Sequence, residues 1–105
     1  FAHAEPDCER PAPSPARIAN LTFFLTHDAH AVRRYRLDWT ALESASSRLV
    51  LAVGAASRGN WLHASASALA GRIGTPLVEF PGGHAGFSTH PRAFSARLLE
   101  VLGRP

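Results

Sequence analysis

The 105-residue chain has no lysine, no methionine and a single cysteine, Cys8. All 11 of its permanently basic side chains are therefore arginines. One cysteine excludes an internal disulfide framework and any zinc site built on several thiolates. No run approaches the roughly 18 apolar residues of a spanning helix. The longest clean run, Leu49 to Ala56, has the length of a strand. No membrane partner is expected. The start, Phe-Ala-His-Ala-Glu-Pro-Asp, lacks the basic and apolar regions of a secretory signal, which makes the cytoplasm the default location. Charge is scarce as well, with 18% charged residues and a net charge of +3. What is present is a globular composition, 46% apolar, sized for one modest core.

Pro6, Pro11, Pro13 and Pro15 crowd residues 1–16. Proline at that density excludes helix and sheet interior, so this stretch reads as a linker or irregular segment without a function of its own. Residues 17–44 read as a helical, cap-like or connecting segment. Ile18, Leu21, Phe24 and Leu25 recur at helical spacing, and Arg33, Arg34 and Arg36 suit a helix C-terminus. Asp38 is placed to cap a short helix running through Ser44.

Residues 45–105 read as strand, helix, strand, helix. Leu49 to Val53 is a continuous apolar run closed by Gly54, as in a strand buried on both faces. Asn60 caps a helix whose Leu62, Ala66, Leu69 and Ile73 form one stripe, with Gly71 and Gly74 at its end. Thr75 to Phe80 is the second strand. Pro91 opens a last helix, capped by Thr89 or His90, with Phe94, Leu98 and Val101 or Leu102 facing inward. A strand, crossover helix and strand in this length form a right-handed parallel βαβ unit. The fold class is α/β. Two strands do not complete such a sheet, so the arithmetic points to part of something larger.

His84 follows the second strand in Phe80-Pro81-Gly82-Gly83-His84-Ala85-Gly86. Catalytic groups of open α/β sheets collect beyond the C-terminal ends of strands. A neutral imidazole on a glycine-braced loop suits general-base work, although an ordinary exposed loop histidine has the same signature.

Arg48-Leu-Val-Leu-Ala-Val-Gly54, a helix, Thr75-Pro-Leu-Val-Glu-Phe-Pro-Gly-Gly-His84, His90-Pro91 and a closing helix together resemble the C-terminal part of an α/β-hydrolase, over roughly residues 45–103. The resemblance implies a serine hydrolase acting on an ester or similar acyl bond of a small molecule. It implies His84 as the general base, with no metal and no organic cofactor. Two departures stand out. No Gly-x-Ser-x-Gly elbow occurs in this chain, and in the family it precedes this region. Together with the start other than Met, this makes the chain a fragment by expectation, inactive alone. The family also places an acid just after Gly54, where this chain has Ala55-Ala56-Ser57. Asp38 is the preferred substitute, with Asp28 or a residue upstream of Phe1 as alternatives. Asp38 also reads as a helix cap, and Glu79 as a sheet-flanking carboxylate.

The remaining signals are thinner. His27 and His30 form half a metal site with no third ligand. Arg33, Arg34, Tyr35 and Arg36 mix charge and aromatics as nucleic-acid surfaces do, but no nucleic-acid motif accompanies them, so no nucleic-acid partner is expected. Trp61 reads as packing. The alternative to a hydrolase is a non-catalytic βαβ interaction or dimerisation module. In either case the outer edge of the first strand is expected to lack a neighbour and to promote self-association.

Overall fold

The computed structural model describes residues 4–6, 8 and 11–103. It contains two compact units, one of Phe1–Glu9 with Thr40–Pro105 and one of Arg10–Trp39.

The smaller unit is helical: α1 (Pro15–Phe23), one π-type turn (Phe24–Asp28) and α2 (Ala29–Arg34). It starts two residues before the expected position because Ser14 caps it, accepting from the Arg17 N–H at 3.1 Å. Pro15 then occupies the first turn, where a missing N–H costs nothing. At the π-type turn the Ala29 N–H reaches the Phe24 carbonyl, five residues back. One residue is thereby inserted into the helix, and the apolar stripe slips sideways. Phe23 and His27, one turn apart, meet with ring centroids 4.6 Å apart. The helical spacing of Ile18, Leu21 and Leu25 made the helix legible, yet all three are more than half exposed. No residue of these helices is buried.

The next helix, α3 (Trp39–Ala45), runs across the boundary at Thr40 into the larger unit and is closed by Ser44, whose hydroxyl bonds back to the Thr40 and Ala41 carbonyls. A short 3-10 turn leads into β1 (Leu51–Gly54). Then come α4 (Trp61–Ile73), β2 (Leu77–Phe80), α5 (Gly86–Thr89) and α6 (Pro91–Val101). β1 and β2 pair in parallel, Leu51 opposite Leu77 and Gly54 opposite Phe80. That is the expected consequence of a helical crossover. Both strands start two residues late. The Leu49 N–H is held by the Ser46 carbonyl, and the buried Thr75 hydroxyl donates to the Leu49 carbonyl. These groups are tied off before a ladder can use them.

Asn60 caps α4 as expected, its side-chain oxygen accepting from the Leu62 and His63 N–H groups at 3.0 and 3.3 Å. Gly74 ends the helix in the left-handed region. Gly71 lies inside the helix and does not stop it. Val53, Ala70, Ile73 and Phe80 form the core. Phe94 of α6 packs its ring on Phe80 at 4.8 Å. The rest of the expected α6 stripe is only partly met, with Leu98 and Leu102 exposed. Among the described residues the sheet has two strands, too narrow to cover three turns of helix. Trp61 is also exposed and is not a packing residue.

Candidate active site on the loop after β2

β2 ends at the buried Phe80, and the chain turns through Pro81, Gly82 and Gly83 to His84 before α5. The turn is held against the equivalent loop after β1, where Ala55–Ser57 forms a 3-10 turn. The Ala56 N–H donates to the Gly82 carbonyl at 2.9 Å. Gly54 must be glycine, because a Cβ there would lie 2.3 Å from the Gly83 carbonyl oxygen. Gly82 has a φ of 81° and lies under the His90 ring, where a Cβ would be 2.7 Å from Nδ1. His84 and Ala55–Ser57 thus share the C-terminal rim of the sheet.

His84 is exposed, and among the described residues nothing hydrogen-bonds its ring. Its side chain lines a cavity of about 510 Å³ together with Ser57, Leu62, Ala66, Phe80 and Phe87. That volume falls within the usual range for small-ligand sites, and the lining is largely apolar. His84 is the one titratable side chain in that lining.

Among the described residues, no carboxylate of the larger unit hydrogen-bonds the His84 ring. Asp38 belongs to the helical unit, whereas His84 belongs to the other. Asp28 ends the π-type turn. At the position after β1 stands Ser57, 3% exposed, which carries no charge. Glu79 is engaged elsewhere. Both of its carboxylate oxygens pair with the Arg58 guanidinium, and His63 Nε2 lies 3.4 Å from Oε1. The Arg58 hydrogen bonds hold the Glu79 carboxyl below the ordinary carboxylate range, against the opposing effect of burial. The same pairing raises the Arg58 pKa. The sequence reading missed this trio. Its signal was an acidic residue inside an apolar strand, which needs a partner.

Glu5, from the proline-rich start, was missed as well. Its carboxylate accepts from the backbone N–H groups of Arg92 and Ala93, each at 3.1 Å. Cys8 is a free thiol, half-buried. Among the described residues no three His, Cys, Asp or Glu side chains gather as a metal site, and no helix is long and apolar enough to cross a membrane.

No protein-family model matches the chain. It is similar to a protein of Bacillus subtilis (strain 168) named "Uncharacterized hydrolase YraK", with 35% identity over 89 residues. The match takes in 81% of this chain and 33% of that protein. The chain therefore spans about a third of the length of a curated relative that bears a hydrolase name.

Proposed function

We propose that this chain is the base-bearing part of an α/β-type serine hydrolase. It cleaves an ester or similar acyl bond of a small molecule whose acyl group is uncharged and apolar. The observation that carries the reading is His84, exposed beyond the C-terminal end of a parallel strand and lining an apolar cavity. The similarity to a protein named a hydrolase supports the same class. His84 takes the proton of a serine hydroxyl as that oxygen attacks the acyl carbon, then returns it to the departing alcohol. The serine and the oxyanion-binding N–H groups come from sequence outside residues 1–105. An acid orients the imidazole and offsets the charge it gains. Asp38 is the candidate in this chain.

The test uses the gene product that contains this chain, assayed on p-nitrophenyl esters of graded acyl length. His84→Ala is expected to lower kcat by at least about 10⁴-fold, the scale of losing a triad member. A loss below tenfold sinks the assignment. Asp38→Asn separates the candidate acids. A comparable loss makes Asp38 the orienting group, and a loss of only a few-fold removes it. Residues 1–105 alone are expected to leave these esters intact, because His84 then has no serine to activate.

A further inference from the structure

We infer that Glu5 is a positioning residue for the His84 loop, an inference that rests on the reading of His84 as the base. The first turn of a helix leaves backbone N–H groups unpaired and carries partial positive charge. At α6 the residue in the capping position, His90, makes no side-chain cap. Its Nδ1 instead lies 2.8 Å from the Thr89 hydroxyl. Glu5 takes over the role from 87 residues away, one oxygen accepting from the Arg92 N–H and the other from the Ala93 N–H. Its own N–H donates to the Thr89 carbonyl at 2.7 Å. Three hydrogen bonds from one residue thus clamp the junction between α5 and α6.

That junction is the backing of the His84 loop. The His90 ring lies against Gly82. The Thr89 N–H bonds the Ala85 carbonyl at 3.1 Å, and the Gly86 N–H bonds the Gly83 carbonyl at 3.0 Å. Gly82, Gly83 and Ala85 bracket His84, so a shift of the junction passes directly to the imidazole. His84 has no hydrogen bond of its own among the described residues to resist it. A base displaced by about 1 Å can lose up to a hundredfold in rate, which makes this remote carboxylate a determinant of kcat.

Two measurements test the clamp. In the gene product that contains this chain, Glu5→Ala is expected to lower kcat roughly tenfold and to leave KM within about twofold. In the same gene product, the change is expected to broaden or split the His84 Cε1–H resonance and to speed amide exchange at Arg92 and Ala93. Glu5→Gln keeps one acceptor oxygen and should fall between the two in both measurements. If Glu5→Ala does not fold, Glu5→Gln decides by the same criteria. A lower Tm with kcat and the His84 resonance unchanged means a merely structural cap and overturns the inference. Hydrolysis that survives His84→Ala would sink the base assignment instead, and the His84 resonance would still decide whether Glu5 positions that loop.

Discussion

Glu79 stands between Val78 and the buried Phe80, in a strand that is otherwise apolar. Its ionised form persists there because Arg58 supplies both charge and paired donors, with His63 alongside. The sign of the pH effect follows. A carboxyl whose folded pKa lies below its unfolded value stabilises the fold above the unfolded value, and that contribution is lost as pH falls through the folded one. Below about pH 4.3, the ordinary value for glutamate, wild-type stability should therefore fall more steeply than that of Glu79→Gln. Urea denaturation at stepped pH from neutral to strongly acidic would check this. Parallel curves for the two proteins would mean that the pair contributes nothing. The pair is also well exposed on the Arg58 side, so added salt should shrink the difference. Residue types alone made His84 legible, because its glycine neighbours and its place after a strand are sequence facts. The partners of Glu79 were not legible. Arg58 is 21 residues away in sequence, and the turn after β1, laid beside β2, brings the two together.

At the scale of elements, α4 and the two strands follow from local rules, with apolar runs, an asparagine cap and a glycine stop. The strand lengths do not. Leu49 and Thr75 look like strand residues, but the Thr75 hydroxyl and the Ser46 carbonyl satisfy the Leu49 backbone. The close approach of the loops after β1 and β2 is likewise a tertiary matter. It depends on Gly54, whose Cα faces the Gly83 carbonyl. Gly54→Ala should cost about 1–3 kcal/mol, the usual range for overpacking. It should also displace the Gly82–Gly83 peptide, because the clash is with backbone and no side chain can swing away. Thermal denaturation with amide shift mapping would check both effects. A change of less than about 0.5 kcal/mol, the ordinary range for surface substitutions, would mean the loops are not in close contact. α6 shows the same division between local and tertiary causes. Pro91 announced its start, but its cap comes from Glu5, a residue that nothing in the local pattern connects to it.

For the molecule as a whole, two four-residue strands cannot shield both faces of a sheet, and the exposed Leu98, Leu102 and Val50 are the consequence. Among the described residues β1 pairs on one edge alone. An unpaired apolar edge is a template for another strand, so residues 1–105 expressed alone should self-associate. Sedimentation should show species larger than monomer at about 100 µM, the concentration range in which unpaired strand edges aggregate. Val50→Lys, a charge placed just before that edge, should reduce them. A monomer throughout, with a cooperative melt, would contradict this. The sequence by itself determined the α/β class, the parallel βαβ order and the place of His84 on the rim. Each of these follows from short-range periodicity, turn chemistry and the geometry of a helical crossover, which a linear pattern carries. Only the tertiary structure decided that Glu79 is held by Arg58 and His63, that Glu5 caps α6, and which members of each apolar stripe are covered. Those outcomes depend on which surfaces meet across many residues of chain, and side chains of identical local pattern are buried or exposed according to what lies opposite them.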